Sequence, residues 1–390
     1  MFATDRTQFT GLAATLSSLL KYNNDRGSIT TTVFVPPDDL RLAMAMLRCV
    51  RRVIKLASGG GEARPEPVRL VARSFVGPSM LDEQGGSARW RAQKGNLAAR
   101  SNFARFYLPE LLPPEARFAL YVDSDIVFTC DVVTNLLQRA EAIFTANPHA
   151  IIAAANQRSR AVAKYVQPSA ITEQYLMRVL GAKVGVRLAR GRFFNRSSFN
   201  AGLFLAHLPR WRAANATQDL MSLLTAHVQA LRVQTRNART ALPKRKWGPK
   251  SIPWNYRTPW PVGHATSQSP MLIIFAGHRS ADLTPKWNSA AGVDWATVTI
   301  RGPPNSSIGP SRMWYRPSVF VNGCEFCAWH WAGSWKPWEC SSSSGCSTSW
   351  TPSTCSREPP MRQSCVWHHY ALPQCVPEET KLPVRDCGAY

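Results

Sequence analysis

No stretch of this chain approaches eighteen consecutive apolar residues, so nothing in it reads as a helix that spans a bilayer. Its first residues also lack the basic-then-apolar pattern of a signal peptide. Met1 opens almost directly into a strand, MFATD. So short a lead-in is expected of a fragment whose targeting segment lies upstream of the residues shown. Acid is scarce as well. Twenty-four Asp and Glu face forty-seven Lys and Arg, for a net charge of +23. That balance favours anionic partners, whether phosphates, acidic glycans, nucleic acid or an anionic membrane surface, without choosing among them.

Cysteine is nearly missing from most of the chain, where only Cys49 and Cys130 stand, each alone. The other eight (Cys324, Cys327, Cys340, Cys346, Cys355, Cys365, Cys375 and Cys387) crowd into the last sixty-seven residues. A dense, even set of this kind reads as a disulfide framework formed in an oxidising compartment. Sequons at Asn195, Asn215 and Asn305 are compatible with that compartment. Cys324-x-x-Cys327 with Cys340 and Cys346 could instead hold zinc. The gap between the pairs encloses His330 and four more cysteines follow, which favours disulfides.

What is present is ample core: 45% of the 390 residues are hydrophobic, enough for one large domain or two ordinary ones. After MFATD, the apolar spacing of FTGLAATLSSLLKYN predicts a helix, and the β-branched run TTTVFVPP predicts a strand. DDLRLAMAMLRCVRRVIKL follows as a helix with Asp38 or Asp39 as its N-cap, and VRLVARSFV as a third strand. This alternation predicts a parallel sheet with helical crossovers. Residues 76–96 read as a Gly-rich loop, and LAARSNFARFYLPELLP as a helix closed by prolines. HAIIAAAN, FNAGLFLAHL and MLIIFAG are read as further buried strands. Residues 232–257 carry eight Lys and Arg and no acid, with Trp247 and Trp254 among them. From about residue 301 the composition turns to Pro, Ser, Trp and Cys. Domain bounds of 1–338 and 339–390 follow, the second an irregular Cys-rich tail.

Two constellations carry chemistry. In YVDSDIVFTCD, Asp123 and Asp125 end an apolar segment, and they point the same way if the strand continues through them. Paired carboxylates there can hold Mg²⁺ or Mn²⁺, which in turn can bridge a diphosphate. A solvated turn with two acids is the plainer alternative. In HWAGSWKPW, His330 offers a third metal ligand, Gly333 lets backbone approach a phosphate, and Lys336 can neutralise phosphate charge. His330 could equally be packed between its Trp neighbours.

Four segments together resemble glycosyltransferase family eight, in the glycosyltransferase eight domain-containing branch. They are ARFYLPELLPPEARFALYVDSDIVFTCDV, FNAGLFLAHLPRWRAANAT, PMLIIFAGHRSADLTPKWN and HWAGSWKPW, and the resemblance runs from MFATD to about Trp338. It implies an α/β GT-A fold with a Rossmann-like mixed sheet flanked by helices, a UDP-sugar donor, Mn²⁺ (or Mg²⁺), and transfer with retention. Carried over by position, it implies metal ligation by Asp123, Asp125 and His330, with Ser124 between the two acids. Gly333 and Lys336 match the diphosphate loop, and Arg105 the helix arginine that reaches the donor. Asn200, Ala201 and Gly202 match the segment lining the sugar, with Asn200 a catalytic candidate. Ala3, Thr4 and Asp5 match the first-strand edge that holds uridine. Relatives carry an acid-amide pair before a Trp-Asn. Here GHRSADLTPKWN leaves Asp282 as the acid for that catalytic position.

The expected function is transfer of a hexosyl unit to a glycan, glycoprotein or glycolipid acceptor in the Golgi lumen. A catalytically inactive sugar-nucleotide or carbohydrate-binding protein of the same fold is the alternative, supported by the missing acid-amide pair. Nucleic acid is set aside as a partner of the basic stretch, since no nucleic-acid fold motif accompanies it. Membrane association would need a segment outside this sequence.

Overall fold

The structure is a computed structural model describing residues 1–22, 29–57, 68–78, 100–128, 131–166, 170–190, 195–241, 267–277, 279–283, 297–299, 312–314, 328–330 and 370–380. In chain order the elements begin β1 (Phe2–Ala3), α1 (Phe9–Tyr22), β2 (Ile29–Val35), α2 (Leu40–Ala57) and β3 (Val68–Ser74). A 3-10 helix (Arg100–Tyr107) leads into α3 (Leu108–Leu111), β4 (Phe118–Val122), β5 (Ile126–Phe128), α4 (Val132–Gln138), α5 (Ala140–Ala146) and β6 (Ile152–Ala161). Then come α6 (Glu173–Leu180), α7 (Ala182–Arg190), β7 (Ser197–His207), α8 (Leu208–Ala213) and α9 (Ala216–Ala241). Last are α10 (Gln268–Phe275), β8 (Ser280–Leu283), β9 (Thr297–Thr299), β10 (Arg312–Trp314) and β11 (Ala328–His330).

The main sheet forms in two parts, β1-β2-β3 and β4-β7-β6-β8. They meet at Met1, whose amine donates to the Leu120 carbonyl at 2.7 Å and whose carbonyl accepts from the Val122 N–H at 3.0 Å. The strand order is therefore β3-β2-β1-β4-β7-β6-β8, with β7 antiparallel to both its neighbours and the remaining pairs parallel. This is the mixed α/β sheet the sequence predicts, flanked by helices.

Alternation along the strands sorts the core into two layers. Ala3, Phe34, Tyr121, Ala154 and Phe204 point into one cluster with residues of α9 and α10. Phe2, Val33, Val35, Val122 and Leu203 point into the other with α1 and α2. Buried on both faces, β4 reads FALYV without a polar residue, as a central strand should.

Several elements differ from the reading of the sequence. MLIIFAG is not a strand: its apolar residues form α10, buried from Ser269 to Phe275 between β7 and α9. A short run that is apolar all round carries no period to distinguish helix from strand, and here tertiary burial chose helix. Within LAARSNFARFYLPELLP, Arg100–Tyr107 form the 3-10 helix, and Pro109 falls in the first turn of the short α3 and not inside one continuous helix. Neither Asp38 nor Asp39 caps α2, because a 3-10 turn from Pro37 to Asp39 feeds straight into it. Asp39 accepts instead from Arg6, whose N–H lies 2.9 Å away. The basic 232–257 stretch begins as the end of α9; residues 242–257 lie outside the described residues.

Cys49 is not alone. It is bonded to Cys375, 326 residues later, at a Cα separation of 5.3 Å. The segment around Cys375 enters the core beside α2, and Tyr370 is buried with its hydroxyl 2.7 Å from that of Tyr22. Part of the Cys-rich region thus packs on the α/β body. The other tail cysteines, Cys130 and Asn305 lie outside the described residues, as does most of the 76–96 loop.

Two local features are testable. α6 and α7 pack so closely that a Cβ at Gly185 would lie 2.4 Å from the Met177 nitrogen and 2.6 Å from the Leu176 carbonyl carbon. Gly185→Ala should therefore cost about 1–3 kcal/mol, read as a lower urea midpoint at unchanged slope. Asp219, in the first turn of α9, is buried, and its Oδ2 has no hydrogen-bond partner among the described residues. Burial pushes its carboxyl up to about 6, against the pull of Arg279 and Arg187. The folded state binds this proton more tightly than the unfolded state does. Its stabilising contribution is full below the ordinary carboxylate range and is lost as pH rises through about 6. Asp219→Asn should melt above the parent protein at pH 7.5, with the gap narrowing as pH falls toward about 4.

Candidate functional site

β4 ends at Val122, and the chain does not continue as a strand through both acids. Asp123 keeps one more bond to β7, its N–H donating to the Gly202 carbonyl at 2.7 Å. Ser124 and Asp125 then form a turn into β5. The two acids are therefore carried on a turn, not placed on one face by strand alternation.

α1 holds that turn from beneath. It is buried from Gly11 to Leu19, too completely for an amphipathic surface helix, and the polar residues inside it have work to do. The Thr15 hydroxyl donates toward the Ser124 carbonyl at 2.9 Å and the Gly11 carbonyl at 3.0 Å. The Ser18 hydroxyl accepts from the Phe128 N–H at 3.0 Å and donates to the Thr15 carbonyl at 2.8 Å. Backbone groups that the turn removes from the sheet are thereby satisfied.

Arg105, on the 3-10 helix, grips the other side. Its Nη2 donates to Asp123 Oδ1 at 2.8 Å, its Nη1 to the Ala201 carbonyl at 3.0 Å, and its Nε to the Asn102 carbonyl at 3.1 Å. The guanidinium lies 4.6 Å from the Tyr121 ring centre, and Tyr121 stacks on Phe204 at 5.2 Å. Burial works against the charge on Arg105, but Asp123, with smaller contributions from Tyr121 and Asp125, more than offsets it and raises the pKa. Asp123 keeps 23% of its side chain exposed while Arg105 keeps 6%. The acid faces outward and the base is sealed behind it.

On β7 the segment Asn200-Ala201-Gly202 stands out of register. Between Ala154 and Asn156 the chain of β6 advances two positions, while β7 advances five, from Phe204 back to Phe199. A bulge of this kind re-aims side chains and frees backbone from the ladder. Asn200 folds over it, its Oδ1 accepting from the Gly202 N–H at 2.9 Å. The residue that sequence reasoning missed is Gln268, the first of α10. Its amide donates to the Phe199 carbonyl at 2.9 Å, at the foot of the bulge. Gln268 lies three residues before the run read as a strand; recognising a helix N-terminus there would have marked it.

Asp282 sits on β8, exposed, with Oδ1 accepting from the Asn156 N–H at 3.2 Å, on the β6 side of the same bulge. It is three strand intervals from β4, about 14 Å at the usual spacing. On the opposite flank, the Met1 bonds align β1 with β4 so that Ala3 is level with Asp123. Thr4 is buried and bonds to the Phe34 carbonyl, while Asp5 caps the next turn by accepting from the Thr7 N–H at 2.9 Å. Burial raises the Asp5 pKa, opposed by those Thr7 bonds.

β11 pairs antiparallel with β5, and its register puts His330 opposite Ile126, the neighbour of Asp125. Some two hundred residues of sequence separation close to one step of backbone. Gly333 and Lys336 lie outside the described residues. The structure thus gathers Ala3, Thr4, Asp5, Arg105, Asp123, Ser124, Asp125, Asn200, Ala201, Gly202 and the His330 backbone along one edge of the sheet, with Asp282 at its far end. That edge is the carboxyl end of β1, β4 and β6, where ligands of open α/β sheets bind.

The Arg105 fork has a direct consequence. Arg105→Ala would leave Asp123 and the Ala201 carbonyl without their shared partner, and should destabilise the fold by about 3–5 kcal/mol in chemical denaturation. Arg105→Lys keeps the charge but not the fork, and is expected to recover only part of that loss.

Comparison with known proteins agrees with the motifs. The Glycosyl transferase family 8 model matches residues 88–266. Glycosyltransferase 8 domain-containing protein 1 of Danio rerio is 27% identical over 249 residues, 63% of this chain and 54% of its own. The protein of the same name from Xenopus tropicalis is 27% identical over 237 residues, 60% of this chain and 50% of its own. The chain spans about half the length of the curated relatives it matches. Among solved structures, the glycosyltransferase GlyE of Streptococcus pneumoniae aligns with 99% of this chain and 64% of its own, at 14% identity and a TM-score of 0.42.

Proposed function

We propose that this chain, a family 8 relative of the glycosyltransferase 8 domain-containing branch, is a metal-dependent retaining glycosyltransferase of GT-A type. It moves a hexosyl unit from a UDP-sugar to a glycan, glycoprotein or glycolipid. The observation that carries this reading is the convergence on one sheet edge: the Asp123-Ser124-Asp125 turn, the Asn200 bulge and the His330 position beside Asp125. A solvated turn with two acids would have no reason to be braced by a buried arginine on one side and by hydroxyls of a buried helix on the other.

Asp123, Asp125 and His330 would hold Mn²⁺ or Mg²⁺, the carboxylates suiting either ion and the imidazole favouring the softer Mn²⁺. Such an ion supplies positive charge to a departing diphosphate. The chain's own residues supply the rest. Ala3, Thr4 and Asp5, level with Asp123, would receive the nucleoside. Gly333 and Lys336 would meet the diphosphate, Lys336 neutralising charge that grows as the glycosidic bond breaks. Arg105 holds Asp123 and Ala201 in fixed relation, so the acid and the bulge cannot drift apart. Asn200, with Gln268 at the foot of its bulge, would face the sugar, and Asp282 would approach from the β8 side.

The Cys49–Cys375 bond favours an oxidising compartment, and with it a place in the secretory pathway such as the Golgi lumen. The deciding experiment incubates the protein with a panel of UDP-sugars, with and without Mn²⁺, and measures UDP release. Release should require the metal and be confined to few donors. Asp125→Ala should lower it by about 10²-fold or more, with a smaller loss for Asp282→Asn. If UDP with Mn²⁺ raises the melting temperature yet no donor is consumed, the chain is a sugar-nucleotide-binding protein. If neither occurs, the reading fails.

A further inference from the structure

On the face of the sheet that carries α9, helices α6 and α9 lie side by side without closing on each other. They leave a groove of about 940 Å³, at the upper end of the range of about 300–1,000 Å³ typical of ligand sites. Its polar residues are set among apolar ones, Ala170, Val179, Met221, Ala226 and Ala230. α9 presents Gln218, Ser222 and Gln229 along one face, and α6 presents Gln174, Tyr175 and Arg178 opposite. There is no carboxylate in the lining, and Arg178 is its only charge.

We propose that this groove is an oligosaccharide-binding site that holds part of the acceptor away from the sheet edge. Neutral amides and hydroxyls both donate and accept, and so match the hydroxyl pattern of a sugar, which presents no net charge. The aromatic ring of Tyr175 offers an apolar face for the C–H side of a pyranose. Its hydroxyl is buried and finds no hydrogen-bond partner among the described residues. Shielded from solvent, that hydroxyl leaves the ring as the part of Tyr175 that a ligand in the groove would meet. Arg178, whose guanidinium lies 5.8 Å from that ring's centre, admits acidic sugars without requiring them.

The groove is also tied mechanically to the candidate site. Tyr107, at the end of the helix that carries Arg105, donates its hydroxyl to Met221 Sδ at 3.0 Å, and Met221 lines the groove. Thr217, one turn before Met221, donates to the Phe106 carbonyl at 2.9 Å. The α9 wall therefore has a fixed relation to the Arg105 helix. On the other wall, α6 is held by its close approach to α7 at Gly185. A glycan seated here would be presented by rigid elements, not by loops.

This assignment rests on the glycosyltransferase reading for its purpose but not for its test. The full chain is applied, without nucleotide or metal, to an array of neutral, sialylated and uronic-acid-bearing oligosaccharides. Binding to a restricted set is expected. Gln218→Ala with Gln229→Ala should weaken it by about tenfold or more, the loss of roughly one to two hydrogen bonds. Tyr175→Phe, which keeps the ring and removes only the shielded hydroxyl, should leave it unchanged, whereas Tyr175→Ala, which removes the ring, should weaken it. UDP-dependent thermal stabilisation should be unchanged in these variants, and Asp125→Ala should leave glycan binding intact. A seam that is merely solvated gives the opposite pattern: array binding is absent, or it is indifferent to all groove variants. Either of those results overturns the site. Glycan binding that survives while every UDP-sugar fails would sink the enzyme reading alone.

Discussion

A single buried guanidinium fixes the relation between the parts of this molecule that matter chemically. Arg105 bonds at once to the acid ending β4, to a carbonyl in the bulge of β7 and to its own helix. A cation this deeply buried is tolerable because Asp123 stands against it, and the rigid fork in turn helps to orient Asp123. Its stacking on Tyr121, itself stacked on Phe204, extends the arrangement into the core layer that α9 and α10 cover. The charge that the site needs and the packing that the fold needs are thus set by the same side chain.

The remaining geometry follows from how the chain leaves regular structure at that edge. A sheet with strands paired on both sides of the β4-β7 pair has little freedom within its ladders, since one step of register would turn the core residues outward. Freedom is found in two departures, the Asp123-Ser124-Asp125 turn and the Asn200 bulge, which lie beside each other and share the Asp123–Gly202 bond. Each exposes backbone that the ladder would have paired. Each is repaid by a side chain at hand: Thr15 and Ser18 beneath the turn, Asn200 and Gln268 at the bulge.

Much of this was legible in the residues, and the failures have physical causes. The alternation of helix and strand through β3 could be read because its apolar residues keep a period. The acids of YVDSDIVF stood out because charge interrupts a buried run. α10 could not be read, since a segment buried on every side has no period to show, and with it went the place of Gln268. The turn at Ser124 was equally hidden, for no Gly or Pro marks it; it is imposed by Thr15, over a hundred residues away in sequence. Cys49 looked solitary because its partner lies in a stretch whose composition signals irregularity. Pairing at such a distance is a property of the packed body, not of local spacing.

The placement of charge follows the same logic. A chain with an excess of twenty-three positive charges would, if they were spread evenly, attract anions everywhere. At the sheet edge the described basic group is sealed behind an acid, so the outward-facing group is Asp123. An anionic ligand at this edge would therefore not meet Arg105 directly. The net charge of the protein, which at first suggests the ligand, is thus a poor guide to the site. The local order, a buried base behind an outward-facing acid, is set by the ion pair between Arg105 and Asp123 and not by the overall excess of positive charge.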